Sequence, residues 1–195
     1  MSEALSRTSP MLVIISGVPG TGKSTLAGLL RQHLGWPVFD RDRFKEAMFD
    51  ASGIAIDALT QGQSRELGSM AESAMIVAAS EVIGAGHSCI VESFFRPEAS
   101  GSGLGRLVSG STARQVHCVT PAEVSIARYR TRFERGGRHP VHLDHLEASD
   151  RQAEPLPRSA LQPVPLAIPL LNVETHRGYA PSLDDIVRFC CGETP

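Results

Sequence analysis

Gly17-Val18-Pro19-Gly20-Thr21-Gly22-Lys23-Ser24 is a complete G-x-x-x-x-G-K-[ST] loop, and the residues on either side of it decide the fold. Before it, Met11-Leu12-Val13-Ile14-Ile15-Ser16 is short, apolar and rich in β-branched side chains, the pattern of a buried parallel strand. After it, Thr25 to Leu34 carries Leu26, Leu29, Leu30 and Leu34 at the spacing of one helix face. That order lets successive main-chain N–H groups and a helix N-terminus converge on a single anion. Glycine permits the curl because no side chain stands in the way. Lys23 is placed to reach the β- and γ-phosphates, and Ser24 to hold Mg²⁺ through its hydroxyl. A chance Gly/Ser turn would not come with the strand, the helix and the lysine together. Gly17, Val18, Pro19, Gly20, Thr21, Gly22, Lys23, Ser24 and Thr25 are therefore expected to grip a nucleoside triphosphate, with Ser24 as the metal ligand.

The 195 residues suit one domain with a substantial core, and they are read as a single unit with residues 1–10 as a flexible tail. At 42% hydrophobic and 21% charged, the composition is that of a globular chain in water. A net charge of −2 leaves no broad footprint for nucleic acid, and 5% aromatics give few platforms for stacking bases. No run of about 18 uncharged apolar residues is present, so no membrane span is expected. The first ten residues lack an apolar signal core, which points to the cytoplasm. The four cysteines have neither a disulfide framework nor metal-ligand spacing and are expected to be small buried hydrophobes. Of 19 cationic side chains only Lys23 and Lys45 are lysines, and lysine differs from arginine in geometry and hydration.

Strands and helices alternate along the chain. Pro37 to Phe39 is a short strand that runs into Asp40-Arg41-Asp42-Arg43 and a helix over Phe44 to Phe49. A long helix is expected from Gln63 to Ile83, then a strand over His87 to Glu92. Glu98 to Thr112 is rich in Gly and Ser, with only a short helix expected around Leu104 to Val108. A fourth strand covers Arg114 to Val119. Thr120 and Glu123 then read as a capping box that opens a helix running to Glu134. Five prolines between Glu154 and Pro169 read as a rigid surface loop beside the site. Leu170 to Val173 is the fifth strand, and Ser182 caps a last helix over Leu183 to Phe189. Such alternation gives a parallel sheet covered on both faces.

In an open parallel sheet the ligand lies beyond the carboxyl ends of the strands. That rule selects Asp40 and Asp42, Glu92, Thr120, and Glu174 with Thr175. Phosphoryl transfer to an alcohol needs a carboxylate, roughly 3 Å from the hydroxyl, to accept its proton. Asp42 stands where it could do so, and equally where an aspartate N-caps a helix, so spacing leaves both readings open. Glu92 can approach Mg²⁺ through water or simply pair at a strand end. Transfer also needs cations that close over the nucleotide. Arg128, Arg130, Arg132, Arg135 and Arg138 supply them; on a helix 128, 132 and 135 share a face and 130 points away. Gly136-Gly137 behind them would be the hinge of a lid. His139, His142 and His145 lack an acid or thiol to complete a tetrahedral set, so no metal is assigned to them.

Together these residues resemble the small P-loop kinases grouped around chloramphenicol phosphotransferase, the zeta-toxin kinases and the 5′-polynucleotide kinases, over Leu12 to Phe189. The loop itself is shared by many NTPases. More telling is Phe39-Asp40-Arg41-Asp42-Arg43-Phe44-Lys45-Glu46-Ala47-Met48, which looks like the segment carrying the catalytic aspartate in that group. The resemblance implies that Asp42 is the general base and that Arg128 to Arg138 form an arginine lid, with Arg128 and Arg132 on the phosphates. It implies that Leu171-Asn172-Val173-Glu174-Thr175 lies beside the adenine, with Thr175 in contact; Glu174 departs from the aspartate usual there. Asp40, Arg41, Lys45 and Glu92 would face the acceptor. The fold implied is α/β, a five-stranded parallel sheet with helices on both faces in the nucleoside-kinase style. The activity implied is transfer of phosphate from ATP, with Mg²⁺, to a hydroxyl of a small-molecule acceptor. A polynucleotide 5′-hydroxyl suits the acidic, aromatic-poor composition less well. A guanine-nucleotide switch would need an Asn-Lys-x-Asp signature, which is absent, and a mechanical ATPase an Asp-Glu pair where only Glu92 occurs.

Overall fold

The apolar run before the loop is buried from Leu12 to Ser16, as a strand with neighbours on both edges and cover on both faces must be. The computed structural model describes residues 9–95, 97–136, 138–143 and 161–193, with 97–102 as backbone only. The flexible tail expected over residues 1–10 falls largely on residues 1–8, outside the described residues, as do His145 and the first prolines of the 154–169 stretch. In chain order the elements are β1 (Met11–Ser16), α1 (Lys23–Leu34), β2 (Val38–Asp40), α2 (Arg41–Ser52), α3 (Gln61–Gly84), β3 (Cys89–Glu92), α4 (Pro97–Ser109), β4 (Thr112–Val119), α5 (Ala122–Glu134), β5 (Leu170–Glu174) and α6 (Leu183–Cys190). Short 3₁₀ turns lie at Ile56–Ala58 and Pro140–His142.

All five strands run parallel in the order β2-β3-β1-β4-β5. The chain passes from β1 over β3 to β2, then returns from β3 across β1 to β4. Consecutive connections thus diverge on either side of β1, and the crevice at its carboxyl end is where such sheets take ligands. Alternate residues of β1 serve two cores. Leu12 and Ile14 pack with Met75, Ala79 and Ile83 of α3 and Leu104 and Leu107 of α4. Val13 and Ile15 pack with Leu26 and Leu30 of α1 and Ile186 and Phe189 of α6. A smaller cluster joins Phe49 of α2, Leu67 of α3 and Val141 and Leu143 near the second 3₁₀ turn.

Several expectations are corrected here. α4 spans thirteen residues rather than a short turn; Leu104 and Leu107 bury against the sheet, and that packing outweighs the poor helix propensity of its glycines. Thr120 does not cap α5: Pro121 holds the cap position, no side chain caps it, and the Thr120 hydroxyl is buried without a partner. Residues 161–168 are no mere surface loop. Val164 between two prolines is buried, and Leu166 and Ile168 pack beside it on the sheet. A buried polar trio, Ser16, Gln115 and His117, holds this stretch: the Ser16 hydroxyl lies 2.9 Å from His117 Nδ1, and His117 Nε2 lies 3.1 Å from the Leu161 carbonyl oxygen. Of the cysteines, Cys191 is exposed while Cys89, Cys118 and Cys190 are buried. By length and composition α3 could cross a membrane, but Ala71, Met75 and Ala79 are fully buried in the core.

Leu30, fully buried between α1 and the sheet, sets the scale of this packing. Leu30→Ala is expected to lower the unfolding free energy in urea by about 2–5 kcal/mol, and Val77→Ala, at a site 62% exposed, by no more than about 0.5. Equal losses would contradict the two-face arrangement.

Candidate active site

The loop between β1 and α1 can close only because two of its positions lack a side chain. Gly17 has φ +136°, and a Cβ there would stand 2.5 Å from the Cys118 carbonyl oxygen; Gly20 has φ +88°, and its Cβ would stand 2.3 Å from that of Ser125. The Val18 carbonyl oxygen gathers three donors: Thr21 N at 3.3 Å, the Thr21 hydroxyl at 2.8 Å and Lys23 Nζ at 3.2 Å. Pro19 forms the apex beside it, and Gly22 occupies the left-handed position that starts α1. Lys23 and Ser24 therefore lie in the helix's first turn, two residues earlier than periodicity suggested, with Ser24 and Thr25 exposed.

Glu92, at the end of β3, faces this turn. It accepts a hydrogen bond from the Ser24 hydroxyl at 3.1 Å and stands 3.8 Å from Lys23 Nζ. Burial lowers the lysine's affinity for its proton and pushes the Glu92 carboxyl up to about 7, against the attraction between the two. The Ser24 and Glu92 oxygens are spaced like neighbouring ligands on an octahedral ion with bonds of about 2.0–2.1 Å, so the pair fits Mg²⁺.

β2 ends at Asp40, and the next helix begins at once. Asp40 is the N-cap of α2: its carboxylate accepts from Asp42 N at 2.8 Å, and burial raises its pKa. That settles which acid does the capping and leaves the Asp42 side chain to other partners. Arg41 Nη2 donates to Asp42 Oδ1 at 2.7 Å, and Arg138 Nη2 donates to Oδ2 at 2.9 Å. Burial would raise the Asp42 pKa, but attraction to the two guanidinium groups holds it well below the ordinary carboxylate range. Lys45 is turned inward. Its ammonium donates to Ser64 Oγ at 2.7 Å, which in turn donates to the Val141 carbonyl oxygen at 2.7 Å. A buried hydrogen-bond chain thus links Lys45 on α2 with α3 and the second 3₁₀ turn.

Arg128 reaches back from α5 to the loop. It donates to the Thr175 carbonyl oxygen at 2.7 Å and lies 3.4 Å from both the Gly20 carbonyl oxygen and Thr175 Oγ1. Thr175 donates its hydroxyl to the Thr21 carbonyl oxygen at 2.7 Å, so this side chain fastens the loop after β5 to the phosphate loop. An open cleft of about 700 Å³ runs along the same helix, lined by Glu123, Val124, Arg128, Thr131, Arg132 and Arg135 among others. Arg130 is not among them, in keeping with the helical spacing. Arg132 and Arg138 both lie over the ring of buried Tyr129, at 5.3 and 6.0 Å from its centre.

The structure therefore brings Lys23, Ser24, Glu92, Asp40, Arg41 and Asp42 to one end of the sheet, with Arg128 on the loop and Arg138 on Asp42. Spacing alone names Arg138 only as the last of an arginine series; its contact crosses 96 positions of sequence, which no local pattern encodes. Tyr129 gave no signal beyond its place on α5. His139 and His142 do not share a site. His139 pairs with Asp50 at 3.0 Å and His142 with Glu46 at 2.8 Å, and no cluster of metal-binding side chains occurs among the described residues.

Residues 12–156 match the family described as an AAA domain. A solved protein of Chloroflexus aurantiacus J-10-fl, described provisionally as a kinase, is 29% identical with a TM-score of 0.78, over 96% of this chain and all of that one. A sugar kinase from Janibacter sp. HTCC2649 superposes at 0.59 with 19% identity, over 95% of this chain and 96% of its own. The APS kinase of Mycobacterium tuberculosis, solved with AMPPNP and APS, superposes at 0.57 with 18% identity, over 95% and 97%. At these last identities the likeness establishes the fold. No curated protein matches the chain.

Gly20→Ala is expected to weaken MgATP binding, followed by calorimetry, by at least about tenfold, because the added methyl meets a backbone oxygen at a strained φ. Gly28→Ala, with nothing within 4 Å, should bind as the parent does; equal behaviour would contradict the loop geometry. Glu92 also gives stability a pH slope in metal-free protein. Its folded pKa of about 7 exceeds the ordinary 4.5, so the folded chain holds more protons in that window and stability falls as pH rises through it. Glu92→Gln should flatten the slope in thermal melts run with EDTA, and an unchanged slope would contradict the burial of this acid.

Proposed function

The chain belongs to the AAA domain family, and from that premise we propose that it is an ATP:alcohol phosphotransferase that moves the γ-phosphate to a hydroxyl of a small molecule. The observation that supports the reading is Asp42: Asp40 takes the capping role, and the second acid, held by Arg41 and Arg138, lies near enough to Lys23 for mutual attraction. The P-loop kinase fold, and neighbours named as sugar and APS kinases, support a small acceptor.

In this proposal the main-chain N–H groups of Gly17 to Thr25 hold the triphosphate, and Lys23 leaves the Val18 carbonyl oxygen for the β- and γ-phosphates. Ser24 and Glu92 would hold Mg²⁺, which when bound neutralises charge on the phosphate oxygens. Asp42 accepts a hydrogen bond from the acceptor hydroxyl and orients its oxygen toward the γ-phosphorus. As the new O–P bond forms, the bond to the bridging oxygen breaks, ADP leaves with the electron pair, and the hydroxyl proton passes to Asp42. The transition state is loose, so a carboxylate of low pKa serves chiefly by aiming the nucleophile. Arg128, by leaving the Gly20 and Thr175 carbonyl oxygens, and Arg132 would stabilise the moving phosphoryl group. Arg41 borders the acceptor.

A panel of sugars, nucleosides and amino alcohols incubated with ATP and Mg²⁺, with ADP release measured against a Lys23→Ala control, tests the activity. With the accepted alcohol, Asp42→Asn should keep ATP binding and lose at least about a hundredfold in turnover. Undiminished turnover would remove Asp42 from the mechanism, and release of ADP that no alcohol accelerates would point to an ATPase instead.

A further inference from the structure

We propose that Arg138 is a positioning residue: with Arg41 it fixes the aim of the Asp42 carboxylate and makes that aim depend on the segment that follows the lid helix. The inference rests on the reading of Asp42 as the group that orients the acceptor. The terminal torsion of an aspartate is soft, so its rotamer alone does not point a lone pair at a substrate. Here each oxygen is held by a different guanidinium, Oδ1 by Arg41 at 2.7 Å and Oδ2 by Arg138 at 2.9 Å. One donor comes from the neighbouring residue and the other from 96 positions away, so the plane of the carboxylate is set from two directions. Each oxygen keeps a further acceptor site for the acceptor hydroxyl.

Arg138 can do this because the chain after it is bolted to α2, the helix that carries Asp42. The Val141 N–H occupies His139 Nδ1, so His139 Nε2 donates to Asp50 Oδ1 at 3.0 Å. One turn earlier on the same helix, Glu46 Oε1 takes His142 Nε2 at 2.8 Å, and Val141 between the two histidines is wholly buried against Phe49 and Leu67. Before Arg138 the chain turns at Gly136, with φ +65° and no atom within 4 Å of where a Cβ would be. Arg138 is thus tied to α2 through the residues that follow it while its guanidinium also lies over Tyr129 of α5, and Arg128, Arg132 and Arg135 line the cleft along α5. Of the arginine series, the residue beyond the turn is the one that meets the acid.

The test is a double-mutant cycle on MgATP turnover with water as the phosphoryl acceptor, using the full chain. Arg138→Ala should lower kcat by about tenfold or more and leave KM for ATP within about twofold, since a misaimed acid costs rate rather than nucleotide affinity. The loss should vanish when Asp42 is already Asn, because the arginine would have nothing left to aim. Millimolar guanidinium should restore part of the turnover of Arg138→Ala and none of Asp42→Asn, a response that a misfolded variant would not give. Arg138→Lys, with one donor point instead of a fork, should fall between the two. A loss of the same size in both backgrounds, or no rescue, would overturn the role of Arg138. Undiminished turnover in Asp42→Asn would instead overturn the reading on which it rests.

Discussion

Two contacts of bare backbone organise the candidate active site: Gly17 against the Cys118 carbonyl and Gly20 against that of Ser125. Because no carbon projects from either glycine, the phosphate loop sits directly on the end of β4 and the start of α5. The same closeness lets Arg128 bridge Gly20 and Thr175, and lets Thr175 reach the Thr21 carbonyl oxygen. Loop, α5 and the turn after β5 are thereby joined by hydrogen bonds and close backbone contact.

Charge is concentrated where that assembly opens. Lys23 and Glu92 are both buried and lie 3.8 Å apart, so each is held in a medium that disfavours its charge. Nearby, Asp42 is stabilised as an anion by two guanidinium groups. Buried ion pairs of this kind contribute little net stability, because desolvation offsets attraction, and perturbed acids and bases gathered in a cleft are the usual mark of a working site. The arrangement sets a buried lysine beside one buried acid and keeps a second acid ionised through the neutral range.

Local patterns carried much of this. β1, the loop and α1 were legible because one strand, one motif and one apolar face are each encoded over a few consecutive residues. The strands read as β3, β4 and β5 followed from short apolar runs, and Ser182 caps α6 as its position suggested. What escaped depends on distant partners. α4 is a full helix because the sheet and α3 bury its leucines, although its glycines argue otherwise. Residues 161–168 lie on the sheet because Ser16, Gln115 and His117 offer a buried polar anchor, and the three residues come together only in the folded register. The division of tasks between Asp40 and Asp42 turned on a one-turn shift in where α2 begins. Arg138 meets its acid across 96 positions of sequence.

Whether the loop aims a terminal phosphate at the Asp42 carboxylate is decided by a crystal structure with Mg²⁺ and a non-hydrolysable ATP analogue. The triphosphate should be wrapped by residues 17–25, with Lys23 withdrawn from the Val18 carbonyl oxygen and space for one hydroxyl oxygen about 3–3.5 Å from the γ-phosphorus and within hydrogen-bond reach of Asp42. A γ-phosphate turned away from Asp42, or seated so that no oxygen fits between the two, would contradict it.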